Sequence, residues 1–167
     1  MKLRQALVGF VVVACIFVAR SVSIAQGVLV VQVPANLQWS YETPFSYTAG
    51  SLFGVTASGS WTSGTFTGGP DGMVGTLATP GYVLPGVNAY SLIGQIGSGA
   101  PFYIGTFFYG TANASGTLRL GMNDVPGVFG DNIGFVTASI PEPGSAALLG
   151  LAATFVMLRR RGALGAA

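Results

Sequence analysis

The sequence predicts an all-β protein, an antiparallel β-sandwich placed between two apolar terminal segments. Between those segments, short runs of alternating apolar and polar residues are separated by Gly, Pro and Asn, which is the pattern of an antiparallel sandwich. No run in this middle region shows the 3.6-residue apolar period of a helix. The chain has 167 residues, enough for one domain and its flanking segments.

The N-terminal segment, residues 1–25, is predicted to be a secretory signal peptide. Lys2 and Arg4 precede an apolar run over residues 6–19, and small residues at 23 and 25 place the cleavage site after Ala25. Two alternatives remain open, a transmembrane anchor and a lipoprotein signal in which Cys15 becomes the lipidated first residue. Cleavage after Ala25 leaves a mature chain without cysteine, so disulfides and thiol chemistry are excluded in that case.

The middle region divides into seven predicted strands. They are Val28 to Val33, Leu37 to Tyr41, Leu52 to Trp61, Tyr90 to Ile96, Tyr103 to Tyr109, Thr117 to Met122 and Phe135 to Ile140. Alternation is clearest in the last two strands, where Leu118, Leu120, Met122, Val136, Ala138 and Ile140 are expected to face the core. Residues 123–133 then join these two strands at one end of the sandwich.

Composition excludes several classes of function for the middle region. Histidine is absent from the chain, which removes the usual general base and any Ser-His-Asp triad. Residues 26–140 contain one basic residue, Arg119, and four carboxylates, which gives a net charge of −3. The basic patch that binds nucleic acid is therefore missing. Two close carboxylates, such as Asp124 and Asp131, would suit the acid/base pair of a glycosidase. If both bound a metal cation, however, both would stay ionised and neither could act as the acid. We therefore predict that the protein is not an enzyme.

The C-terminal segment has three parts in a fixed order. Pro141-Glu142-Pro143 is followed by an apolar run over residues 145–158 and then by Arg159, Arg160 and Arg161. As a helix this run would span about 21 Å, which is short of the roughly 30 Å hydrocarbon core of a bilayer. The arginines are expected to stay on the cytoplasmic side of the membrane.

This pattern resembles the PEP-CTERM sorting signal, also known as an ice-binding protein C-terminal domain, over residues 141–162, with a short tail at 163–167. The resemblance implies a transmembrane sorting helix and recognition of Pro-Glu-Pro by an exosortase-type membrane protease. It also implies a localisation: export across the inner membrane, transient anchoring, and delivery to the cell surface or the extracellular matrix of a biofilm.

The loop GMNDVPGVFGDNIGF, residues 121–135, concentrates oxygen ligands in a region with few charges. Asp124 and Asp131 are seven residues apart with Pro126-Gly127 between them, so the chain can fold back and bring both carboxylates to one point together with Asn132. Carboxylate, amide and carbonyl oxygens are the ligands that Ca²⁺ prefers. Zinc and copper are disfavoured because nitrogen and sulfur ligands are absent. The alternative is an ordinary turn, for which the same residue types are expected.

Residues 123–132, NDVPGVFGDN, resemble the calcium loop of the PA-I-type galactophilic lectins, and upstream turns align more loosely over most of residues 28–140. The resemblance implies a galactose-binding-like jelly roll in which calcium bridges protein and sugar hydroxyls. It places calcium ligands at Asp124, the Val128 carbonyl, Asp131, Asn132 and a carbonyl near Ser63 or Gly64, of which Gly64 is the position predicted here. Asp124 and Asp131 are the implied carbohydrate contacts.

The sequence departs from that family where the sugar is gripped. The family's histidine and glutamine have no counterpart in residues 73–80, so galactose specificity is not implied. Tyr82, Phe129 and Trp61 are rings that could stack on a sugar or pack inside the sandwich.

We predict a secreted calcium-binding, lectin-like protein that engages carbohydrate such as exopolysaccharide. The alternative is a structural matrix protein whose calcium loop is a brace. Neither the sugar nor the oligomeric state follows from the sequence.

Overall fold

A computed structural model describes residues 27–143, which form two antiparallel β-sheets packed as a sandwich. The strands are β1 Val28–Pro34, β2 Tyr41–Tyr47, β3 Leu52–Ser63, β4 Phe66–Gly68, β5 Leu92–Ile96, β6 Phe102–Tyr103, β7 Phe107–Thr111, β8 Gly116–Met122 and β9 Ile133–Pro141. The predicted antiparallel sandwich is thus confirmed. The predicted signal peptide and the apolar C-terminal helix lie outside the described residues.

The larger sheet is built around the long strand β3. Its order is β1-β9-β3, and β4 and β7 both pair with the other edge of β3. β7 pairs with the first residues of β3 and β4 with its last three, Trp61–Ser63. At the end of β3, the Ser63 hydroxyl contacts Asp124 in the loop that follows β8.

The smaller sheet has the order β2-β8-β5-β6, and the core lies between the two sheets. Its largest fully buried side chains include Trp61, Leu92, Ile96, Ile104, Leu118, Leu120, Met122, Val136 and Ile140. The core positions predicted from the alternation of β8 and β9 are all buried. The core cluster extends from Val31 to Ile140, so a domain of residues 27–143 contains the complete sandwich. Between residues 27 and 143, no helix is long and apolar enough to cross a membrane.

The predicted strand from Leu37 to Tyr41 is wrong. Residues 35–39 form a turn, and the strand begins at Tyr41 and continues to Tyr47. Pro44 is tolerated within this strand because β2 is an edge strand and contains a register shift between Glu42 and Ser46. Trp39 of this turn lies against Arg119, whose guanidinium is 5.6 Å from the centre of the Trp39 ring.

The predicted strand from Tyr103 to Tyr109 is also wrong as a single element. It is divided into β6 and β7, which belong to different sheets. Gly105 adopts a φ of 63° between them, and Asp71 fixes the turn by accepting hydrogen bonds from the backbone N–H of Thr106 at 2.7 Å and the Tyr103 hydroxyl at 3.0 Å. The short strand β4 was not predicted. Three residues are too few to show an alternation.

We predict that Gly121→Ala destabilises the domain. A Cβ at Gly121 would overlap the carbonyl oxygen of Gln38, in the turn that covers β8. Overpacking against backbone costs about 2 kcal/mol, measurable as a lower urea midpoint. Gly130→Ala is the matched control, because a Cβ there meets nothing within 4 Å, and we expect its midpoint to change little. Equal midpoints for the two variants would show that the 35–39 turn moves freely away from β8.

Candidate functional site

The candidate site is the loop from Asn123 to Asn132, which leaves β8 in one sheet and enters β9 in the other. A turn forms where the Val128 N–H donates to the Val125 carbonyl at 3.2 Å. A short 3-10 helix, Phe129–Asp131, follows it, and the Phe129 side chain is buried. This anchor brings Asn132 back to the start of the loop. The loop therefore folds back so that Asn132 meets Asp124, whereas Asp131, the other carboxylate expected at this point, is exposed.

Asp124 is buried beneath the loop, with 3% of its surface exposed. Its Oδ1 accepts a hydrogen bond from the Val125 N–H at 2.7 Å, and its Oδ2 accepts one from the Asn132 side-chain amide at 2.9 Å. The Ser63 hydroxyl makes a longer contact with Oδ2 at 3.4 Å. All three donors are neutral. A buried carboxylate without a cationic partner is costly, so this environment favours binding of a positive ion.

Asn132 lies beside Asp124 and has an unused oxygen. The residue is 4% exposed, and its Nδ2 donates to Asp124 and, at 3.2 Å, to the Ala35 carbonyl. Its Oδ1 is buried and has no hydrogen-bond partner. Leaving a buried acceptor unpaired costs about 1–3 kcal/mol. A metal cation or a hydrogen-bond donor bound to this oxygen would remove that cost.

The other predicted ligands, two in this loop and one in the β3–β4 turn, are exposed. Asp131 and Val128 are exposed, and each is close in sequence to a buried anchor, Asn132 or Phe129. Gly64 is exposed, with a φ of 56° in the β3–β4 turn. Its neighbour Ser63 makes the direct contact with Asp124. Hydrogen bonds thus join Ser63, Asp124 and Asn132 directly. Gly64 and Asp131 are sequence neighbours of this set, and Val128 precedes the buried Phe129.

The donor set at this site consists of oxygens. Among residues 27–143, no three Asp, Glu, His or Cys side chains form a group that could hold a metal ion. A cation here would depend on one or two carboxylates together with amide and carbonyl oxygens. That is a ligand set suited to Ca²⁺, which accepts six to eight mixed oxygen ligands. It is unsuited to softer metals that select thiolate or imidazole.

Asn123 has a role that sequence reasoning did not identify. Its buried side chain accepts a hydrogen bond from the Leu84 N–H at 2.9 Å and donates to the carbonyls of Leu84 at 2.9 Å and Asn88 at 3.3 Å. Two backbone bonds add to this, Val83 N–H to the Asp124 carbonyl and Tyr90 N–H to the Asn123 carbonyl. Asn123 therefore fastens the 82–90 loop against Asp124.

Three aromatic rings lie on the two segments that contact Asp124, the β3–β4 hairpin and the 82–90 loop. Phe66 of β4 stacks on Tyr90, with ring centroids 5.3 Å apart, and Tyr82 meets Tyr90 edge to face at 6.0 Å. The Tyr82 hydroxyl donates to the Tyr90 hydroxyl at 3.3 Å. This hydrogen bond, with smaller contributions from burial and from the charges of Tyr90 and Asp124, raises the pKa of Tyr82 to about 12. Tyr82 is therefore neutral near pH 7.

Tyr90 holds a strained backbone beside the site. It has a φ of 60°, and it is the only non-glycine residue of the described range with a positive φ. A left-handed conformation costs a residue with a Cβ roughly 1–2 kcal/mol. The Trp61 indole N–H holds the Tyr90 carbonyl at 2.9 Å, and Asn123 holds its N–H. This geometry also explains why β5 begins at Leu92 and not at Tyr90.

The three rings considered as sugar platforms differ in exposure. Trp61 is 1% exposed and Phe129 is 7% exposed, so both are core residues with no free face. Tyr82 is half-buried at the surface. Of these candidates, Tyr82 alone keeps surface available to a ligand.

The predicted sorting residues are described in part. Pro141 is the last residue of β9 and pairs with Val28, and the Glu142 N–H donates to the Gly27 carbonyl at 3.0 Å. Pro143 is exposed. Ala25 and the arginines at 159, 160 and 161 lie outside the described residues.

Comparison with known proteins supports the fold. No protein-family model matches the sequence, and a search of curated proteins found no match. Among solved structures, the chain is similar to one described as "EclA N-terminal domain; PllA-like lectin", with a TM-score of 0.53 and 23% identity, over 67% of this chain and 93% of that chain. At this identity the similarity concerns the fold. The described domain is therefore a β-sandwich with a fold similar to that of a PllA-like lectin.

Proposed function

We propose that this protein is a non-catalytic, calcium-dependent carbohydrate-binding protein, and that the loop from Asn123 to Asn132 is its binding site. The observation that carries the proposal is the pair formed by Asp124 and Asn132. A carboxylate that is 3% exposed has only neutral donors around it, and the amide oxygen beside it has no partner. Calcium would satisfy both groups at once.

The sugar side of the proposal rests on the position of this pair in the fold. Asp131 and Gly64 are exposed and adjoin Asn132 and Ser63 in the sequence, and Val128 is exposed in the same loop, so in this proposal the cation is held between the buried pair and the protein surface. When bound, calcium supplies open coordination positions that sugar hydroxyls can fill. The residues of this chain hold the cation and set which sugars approach it. The similarity to a lectin fold is consistent with this use of the loop.

We further propose that the protein is exported by its N-terminal signal peptide and processed at Pro141-Glu142-Pro143 by an exosortase-type protease. The mature domain would then act at the cell surface or in an exopolysaccharide matrix. The sequence features at both termini support this proposal. The described domain ends in a strand whose last residue, Pro141, opens the proposed recognition motif.

The test is chromatography of residues 27–143 on polysaccharide resins. Agarose and cross-linked dextran supply neutral sugars, and immobilised polygalacturonate supplies acidic ones. We expect retention in millimolar calcium on at least one resin, with elution by chelator. The domain without calcium should pass through every resin.

Two results would contradict the carbohydrate proposal. Passage through every resin in calcium, with a melting temperature that still rises with calcium, would leave the loop as a structural brace in a matrix protein. Passage through every resin with no effect of calcium on the melting temperature would remove the cation site as well.

A further inference from the structure

We propose that Tyr82 determines the specificity of this site and selects neutral pyranosides, whose apolar ring face lies against its aromatic ring. This inference rests on the proposed calcium-dependent binding of carbohydrate, and it assigns a role to a residue outside the loop of cation ligands. Four observations on the described residues lead to it.

The first observation is the position of Tyr82 on a loop that contacts Asp124. Its neighbour Val83 donates a backbone hydrogen bond to the Asp124 carbonyl at 3.0 Å. Ser63, the last residue of β3, contacts the Asp124 carboxylate through its hydroxyl, and β4 begins three residues later at Phe66. The 82–90 loop and the β3–β4 hairpin therefore both contact Asp124, and the rings of Tyr82, Tyr90 and Phe66, which pack on one another, form an aromatic wall beside it.

The second observation is that the tyrosine rings of this wall are covered to different extents. One face of Tyr90 is covered by Phe66 at an interplanar angle of 21°. Tyr82 meets Tyr90 at 64°, and in the range 27–143 no aromatic ring lies parallel to that of Tyr82. The ring of Tyr82 contacts Tyr90, and part of the residue remains exposed to solvent. An amphipathic ring with few rotatable bonds is the kind of residue that anchors ligands at low entropic cost.

The third observation is the rigidity of this arrangement. Tyr90 is held in a left-handed conformation by Trp61 on its carbonyl and by Asn123 on its N–H. The Tyr82 hydroxyl is fixed to Tyr90 at 3.3 Å. Strained backbone that is held from several sides often marks a functional site. Here the hydrogen bonds that hold the strained backbone also fix the Tyr90 ring against which Tyr82 packs.

The fourth observation concerns charge and defines the class of sugar. Arg119 is the only basic residue in the described range, and its guanidinium is engaged by Gln95 at 2.8 Å and by the Gly97 carbonyl at 3.0 Å on the smaller sheet. At the site, the carboxylates of Asp124 and Asp131 would balance a divalent cation. No net positive charge is then left for a uronate or a sulfate group. Neutral sugars are therefore favoured over acidic ones.

The test compares Tyr82→Ala with two other variants of the 27–143 domain on the same three resins. We expect the wild type to be retained by agarose or dextran and not by polygalacturonate. Tyr82→Ala should weaken this retention at least about tenfold, and Tyr82→Phe, which keeps the ring, should weaken it less. Tyr109→Ala removes an aromatic side chain that is 56% exposed on β7, away from the site, and should bind as the wild type does.

A second readout separates this inference from the proposed function. The rise in melting temperature with calcium should be unchanged in Tyr82→Ala, since Tyr82 is not a cation ligand. Wild-type retention that persists in Tyr82→Ala would overturn the role of Tyr82 and leave the proposed function intact. Loss of the calcium effect in Tyr82→Ala would make Tyr82 a brace of the cation loop. Retention of the wild type by polygalacturonate would overturn the selection of neutral sugars, and passage of the wild type through every resin would contradict the proposed function itself.

Discussion

Asp124→Asn is expected to abolish the stabilisation of the domain by calcium while changing its stability in chelator by less than about 1 kcal/mol. A ligand that binds the folded state alone, present at a hundred times its dissociation constant, stabilises by about 2.7 kcal/mol. For a domain of this size, that corresponds to a rise in melting temperature of about 10 °C. The wild type should show this rise between excess chelator and excess calcium, and Asp124→Asn should not.

The small change expected in chelator follows from two opposing effects. The substitution removes a buried charge whose partners, Val125, Ser63 and Asn132, are all neutral donors, and this is favourable. The new amide has one oxygen where the carboxylate had two, so one hydrogen bond is lost at a cost of about 1 kcal/mol. These two effects offset each other within the accuracy of a thermal melt.

Asp71→Asn is the matched control for this measurement. Asp71 is a half-buried aspartate that holds the turn between β6 and β7, so its substitution should lower the melting temperature equally in calcium and in chelator. If Asp124→Asn behaves in the same way as Asp71→Asn, Asp124 is a structural hydrogen-bond acceptor. If the wild type shows no rise with calcium, the loop is an ordinary turn and not a cation site.

The sequence predicted most of the sandwich because its buried strands alternate clearly. The side chains of β8 and β9 point alternately to the core and to the surface, and their positions agree with the structure. Prediction failed where a strand contained a breaker, as at Pro44 in β2, or where a turn lay inside an apolar run, as at Gly105. In both cases the deciding contacts are with residues distant in sequence, Thr117 and Asp71 respectively.

The candidate site was predictable in part for a similar reason. The spacing of Asp124 and Asp131 indicated a loop that folds back, and the structure brings Asn132 onto Asp124. The spacing did not indicate that Asp131 would be exposed, because this depends on the 3-10 helix that precedes Asn132. The sequence singled out Tyr82 as one of three rings that could stack on a sugar or pack inside the sandwich, but it did not indicate where Tyr82 lies relative to Asp124. It lies 42 residues before Asp124, and only the pairing of the 82–90 loop with Asn123 and Asp124 brings it to the site.

Asn123→Ala is expected to destabilise the domain by about 3 kcal/mol, which lowers the melting temperature by roughly 12 °C. The side chain of Asn123 is fully buried and makes three hydrogen bonds to the backbone of Leu84 and Asn88. Removing it leaves the N–H and C=O of Leu84 and the C=O of Asn88 without this partner inside the protein. The amide of Leu84 should then exchange its hydrogen faster, which hydrogen-exchange NMR can measure.

Asn113→Ala separates this effect from the loss of any asparagine. Asn113 is exposed and makes a single side-chain hydrogen bond, to the Ala100 carbonyl at 2.7 Å, so its substitution should cost less than about 1 kcal/mol. A similarly small cost for Asn123→Ala, with unchanged exchange at Leu84, would mean that the backbone bonds of Val83 and Tyr90 hold the 82–90 loop without help from this side chain. The expected larger cost would instead make Asn123 the residue that fastens the 82–90 loop, with Tyr82 and Tyr90, to the segment that carries Asp124 of the proposed cation site.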